Sequence, residues 1–190
     1  MEHEEIVKAL EYAHATESLV WIRRRFETRS WRGFVVGLSE TLVLLQVLNS
    51  GSMRLNGYTA VRLKDIQECR EDETFAPAAL KLLGERPKPQ LDLLLVDMPG
   101  LLSSVGAHFP LLELFQEKTG ATFYIGRILR FGKRKVHLQA VTRGGTWGEI
   151  YKFNCKNITR VDFGDGYDEA LWLVARRQPR NLPERKDRPR

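Results

Sequence analysis

GFVVGLSETLVLLQ (residues 33–46) and GRILRFGKRKVHLQ (residues 126–139) are the two stretches on which the reading of this chain turns. Laid over one another without a gap, Gly33 meets Gly126, Val43 meets Val136, Leu45 meets Leu138 and Gln46 meets Gln139. Val35 faces Ile128, Val36 faces Leu129 and Leu38 faces Phe131. After a one-residue slip, KDI (64–66) lies over KNI (156–158), and FAPAAL (75–80) resembles YDEAL (167–171). Upstream, SLVWIRRR (18–25) lies over LLELFQEK (111–118). One short apolar match says little, because any two strands look alike. Agreement in order over most of each half, with length changes confined to loops, predicts an internal repeat.

Both halves then read alike. A helix opens each, with Ile6, Leu10 and Ala13 on one face in the first and Met98, Leu101 or Leu102, and Val105 in the second. Asp97 is the expected N-cap of the second helix, with Pro99 in its first turn. Strands follow over 19–25, 34–38 and 42–48, then a longer one over 58–69. The run 42–48 is nearly all apolar, as in a strand buried on both sides. The second half offers 111–117, 123–131, 136–142, 150–154 and 158–163. About five short strands in roughly 55 residues is the spacing of a small closed barrel, which also removes exposed sheet edges. EDET (71–74) breaks the apolar pattern, 76–83 reads as a short helix, and GERPKP (84–89) as a stop and stiff connector. The expected organisation is a first helix-plus-barrel repeat over 1–86, a second over 87–175, and a tail over 176–190.

The chain has 190 residues, 43% hydrophobic and 28% charged, which excludes a mostly disordered chain, a collagen-like repeat and a disulfide miniprotein. No apolar run approaches the roughly 20 residues that span a bilayer, and MEHEEIVKAL at the N-terminus has no signal-peptide core. Two cysteines, Cys69 and Cys155, make no disulfide framework, so reduced thiols and a cytoplasmic location are expected. The net charge of +6 is concentrated at one end: residues 176–190 hold seven basic and two acidic side chains, a net of +5. The body is balanced to within +1. A basic tail so poor in apolar side chains is expected to be disordered.

GFVVGLSETLVLLQVL followed by GYTAVRLKDI resembles the strand pattern of Sm-like and SH3-like small β-barrels. With ITRVDFGDGYDEAL in the second half, the tandem arrangement is similar to that of uncharacterised bacterial proteins, and the likeness covers most of 18–80 and 110–172. It implies a mainly β fold of duplicated barrels with short helices and is nearly silent on activity. Sm proteins bind RNA through an Asp and an Asn in the turn after the glycine, plus a late Arg-Gly pair. Here the turns read Leu38-Ser39-Glu40-Thr41 and Phe131-Gly132-Lys133-Arg134, and the last loop has no Arg-Gly, so that recognition does not carry over.

No catalytic constellation emerges. His3, His14, His108 and His137 are scattered, and no serine sits in a Gly-x-Ser-x-Gly elbow. No cofactor or metal is expected, although Asp162, Asp165 and Asp168 have a spacing that could hold a hard cation, or else lead into a helix. Two basic clusters stand at corresponding places: Arg23, Arg24, Arg25, Arg29 and Arg32 beside Trp31 and Phe34, and Arg127, Arg130, Lys133, Arg134 and Lys135 beside Tyr124 and Phe131. Trp147, between glycines, is either an exposed partner anchor or a lid over the barrel end. The function expected is a non-enzymatic binding or assembly module with a protein partner, and no membrane. The alternative is RNA or single-stranded DNA binding by the basic hairpins and the Arg-rich tail. Sm-like barrels pair edge to edge, so a homo-oligomer is open.

Overall fold

Apolar runs become strands here and polar breaks become turns, in a computed structural model that describes residues 1–27, 30–88, 92–118 and 123–179. Helix α1 (His3–Thr16) opens with a reciprocal cap between Glu2 and Glu5 and buries Ile6, Leu10 and Ala13. Then come β1 (Leu19–Arg24), β2 (Trp31–Leu38), β3 (Leu42–Asn49), β4 (Arg54–Arg62) and, after a 3₁₀ turn at Leu63–Asp65, β5 (Ile66–Glu71). Helices α2 (Ala76–Leu82) and α3 (Met98–His108) link the halves, and Asp97 caps α3 by accepting the Gly100 N–H at 2.7 Å. The second half holds β6 (Leu112–Phe115), β7 (Phe123–Phe131), β8 (Lys135–Val141), β9 (Trp147–Asn154), a 3₁₀ turn at Cys155–Asn157, β10 (Arg160–Phe163) and α4 (Gly166–Ala175).

The expected pair of closed SH3-like or Sm-like barrels does not form. The described residues make one open ten-stranded antiparallel sheet in the order β5-β1-β2-β3-β4-β10-β6-β7-β8-β9. Two local facts explain the difference. The stretch 58–69 is not one strand: the turn at Leu63–Asp65 splits it, and the chain beyond pairs with β1. The edge of β4 is then used to join the halves, with Val61, Ala60, Thr59 and Tyr58 opposite Arg160, Val161, Asp162 and Phe163 of β10. Edges are removed by pairing half to half, and β5 and β9 stay at the two ends of the sheet. Each half runs through its strands in the same order.

The sheet's two faces are covered differently. Helix α1 lies over Val20, Ile22, Val35, Val43, Leu45 and Val61. The largest core lies on the other side of the first half, where Phe34, Leu42, Leu44, Leu48 and Ala60 pack with α2, the connector residues Leu93 and Leu95, and α3. That core continues into Val136, Leu138, Phe153 and Val161 of the second half. The run 42–48 is thus buried on both sides, as its composition requires. Each fully buried Leu or Val there contributes about 1.5–3 kcal/mol. Helix α4 covers one end of the second half with Leu171 and Ala175 against Leu111 and Val141.

Gly33 and Gly126 are needed for close approach. A Cβ at Gly33 would come within 2.5 Å of the Gln46 carbonyl oxygen, and one at Gly126 would overlap that of Gln139. Both sit just before a register shift in β2 and β7, where the strands bend. Gly126→Ala is therefore expected to lose about 1–3 kcal/mol in urea unfolding. Gly132→Ala, whose Cβ would meet nothing closer than 3.7 Å, should stay near the parent.

Candidate functional site

The two basic clusters have different fates. In the first, Arg23 donates to Glu68 at 3.0 Å, Arg25 pairs with Asp65 at 3.2 Å, and Arg32 donates to Asp72 at 2.7 Å while stacking over Trp21. Trp31 is half-buried, donates its indole N–H to Glu27 at 2.6 Å and lies under Arg160. Arg29 lies outside the described residues, as do residues 180–190 of the tail. Arg23, Arg25 and Arg32 thus tie parts of the first half to one another. In the second cluster, Arg127, Arg130, Lys133 and Arg134 have no carboxylate partner among the described residues. Arg130, His137 and Lys152 stand in one row across β7, β8 and β9. Burial, with the charges of Arg130, Lys152 and Lys135, holds the His137 imidazole below its usual range.

Trp147 is neither exposed nor loose. It is half-buried, donates its N–H to the Ala175 carbonyl at 2.9 Å and meets Trp172 edge-on at 6.3 Å between ring centres. It fastens α4 to the sheet.

Where the halves meet, an ion network around a buried arginine appears that the sequence reading did not single out. Arg24, 1% exposed, donates to Glu27 and, at 2.7 Å, to Glu117 of the second half. Arg160 donates to the same Glu27 at 2.8 Å, lies 3.1 Å from Asp162 and sits over the Phe115 ring. Burial opposes the Arg24 charge, but the two glutamates outweigh it and hold the guanidinium above its ordinary value. Only spatial closeness brings residues this far apart in sequence together, so no spacing could announce them. Arg62 adds a second tie: it donates to Asp65 at 2.6 Å and to the Lys156 carbonyl at 3.2 Å.

Asp162, Asp165 and Asp168 are joined by Glu113, which stands opposite Asp162 in the β6·β10 ladder. Asp165 caps α4, accepting the Asp168 N–H at 2.7 Å, so the helix-leading reading of these acids holds. The carboxylates do not converge on one cavity: Glu113 and Asp165 line one, Asp162 and Asp165 a second, and Asp168 a third. Among the described residues no group of three or more His, Cys, Asp and Glu could hold a metal ion. No helix there is long and apolar enough to cross a membrane. Both cysteines are free and buried, and burial pushes the Cys69 thiol up to about 11.

Compared with known protein families, with curated proteins and with solved structures, the chain matches none.

The acidic group makes stability pH-dependent. Burial, then the neighbouring carboxylates, raises Asp168 to about 8 and Glu113 to about 7, and burial raises Asp162 to about 6. The folded state favours their neutral forms, so this stability is full only below the ordinary carboxylate range and is lost progressively from there as pH rises through the folded values of about 6 to 8. A melting temperature lower by roughly 5 °C at pH 9 than at pH 5 is expected. Asp168→Asn, which cannot ionise, should flatten much of that slope.

Proposed function

We propose that the protein is a non-enzymatic assembly module that joins copies of itself edge to edge. The observation that carries this reading is the β4·β10 ladder. Inside one chain, the last strand of the first half-sheet accepts a strand of the second in antiparallel register. At the two ends of the sheet the corresponding strands, β9 and β5, pair only on their inner sides, with β8 and β1, and have no partner strand on their outer sides among the described residues. An open edge is a row of unused N–H and C=O groups, and a second copy offers the matching row. Repeating the internal join between chains is heterologous, so it closes into a ring or runs on as a filament.

The non-enzymatic part of the reading is supported by how the reactive side chains are used. His14 bonds to the Val35 carbonyl, His108 to the Ser104 carbonyl, and Ser39 donates to the Leu95 carbonyl. The first and third hold one element against another, and the His108 bond lies within α3. Among the described residues, the RNA or DNA alternative loses Arg23, Arg24, Arg25 and Arg32 of the first basic cluster to internal ion pairs and keeps the second cluster, while Arg29 and residues 180–190 of the Arg-rich tail lie outside them.

Light scattering on the full chain should show mass rising above that of one chain between about 1 and 100 µM. Ile150→Pro and Tyr151→Pro, made separately, sharpen the test. Adjacent amides of β9 point to opposite sides, so one proline faces the open edge and should leave a folded monomer. A monomer at every concentration, or assembly indifferent to both prolines, contradicts the reading.

A further inference from the structure

Gln46 and Gln139 hold the same place in their half-sheets. The residue after each opposes the close-approach glycine (Val47 with Gly33, Ala140 with Gly126), and each glutamine faces the next strand at Tyr58 or Ile150. Both are buried, at 2% and 1% exposure. Their partners differ. Gln46 accepts the backbone N–H of Lys88 at 2.8 Å, from the connector that crosses this face of the first half. Among the described residues, Gln139 has no hydrogen-bond partner on either its Oε1 or its Nε2. A buried carboxamide in that state is costly unless something supplies its bonds.

The surroundings say what would supply them. Gln46 is flanked across the strands by Phe34 and Tyr58, which belong to or pack against the large core. Gln139 is flanked by Arg127 and Ile150, both half-exposed, and the next row is Arg130, His137 and Lys152. A position that is apolar and covered by the chain's own connector in the first half is cationic in the second. Arg127, Arg130 and Lys152 have no carboxylate partner among the described residues.

We propose that this face of β7, β8 and β9 binds an extended acidic polypeptide segment of another protein. A main-chain group of the segment bonds Gln139 as Lys88 bonds Gln46, and its carboxylates pair with Arg127, Arg130 and Lys152. Arg127 swings aside to open the carboxamide. The chain's own last eleven residues, 180–190, carry five basic against two acidic side chains, the wrong sign for this surface. The site uses the sheet's face, not its edge, so it stands or falls separately from the assembly.

The test is fluorescence anisotropy on the full chain with a labelled peptide of about 12 residues alternating Glu and Val, beside a labelled oligothymidine of equal charge. Salt-sensitive peptide binding is expected, weakened roughly tenfold or more by Arg127→Glu with Arg130→Glu. Gln139→Leu should separate binding from folding: it removes the unpartnered polar atoms, so the melting temperature rises by a few degrees, yet peptide affinity falls several-fold. No peptide binding, tighter binding of the oligothymidine, or unchanged peptide affinity in Gln139→Leu would each overturn the proposal.

Discussion

The sheet is one object because β4 gives its edge to β10. That ladder is reinforced by side chains on both sides of it: Thr59 donates to Asp162 at 2.9 Å, and Arg24 and Arg160 share Glu27 while reaching to Glu117 and Asp162. Arg24 at the centre of the network is buried and its partners are half-buried, and a buried charge is held at a desolvation cost that only good pairing offsets. Removing both glutamates would leave the buried Arg24 charge uncompensated, at about 3–5 kcal/mol. Such a join tolerates little variation in geometry.

From this join follows the unequal fate of the two halves. The continuous sheet turns the first half's second face inward, where α2, the connector and α3 bury Phe34, Leu44 and Leu48. Among the described residues, the same face of the second half receives only α4, at one end. Its remaining positions carry Arg127, Arg130, His137 and Lys152, and the buried Gln139 beneath them is unpartnered. One topology, used twice, thus yields a half that is mostly core and a half with a chemically distinct open face.

Local structure was largely legible in the residues. The apolar run 42–48, the helix face of Ile6, Leu10 and Ala13, and the Asp97 cap all follow from periodicity and capping chemistry. Closure was not legible. Whether β4 pairs with its own half or with the other depends on a short 3₁₀ turn and on ion pairs between residues far apart in sequence. The arginines of the first hairpin looked like a binding surface because their partners Glu68, Asp65 and Asp72 lie some forty residues downstream. The matched glutamines were visible as a pair, but only their surroundings give one of them a partner and leave the other without.

In the proposed assembly the free edges β5 and β9 repeat between chains what β4 and β10 do within one. Amide hydrogen exchange as a function of protein concentration tests it at the level of single strands. The account predicts that protection of 66–71 and 147–154 rises with concentration, together and by similar factors, while β4 and β10 stay protected throughout. Exchange at those two strands that is independent of concentration, or protection that rises on one edge alone, would contradict it.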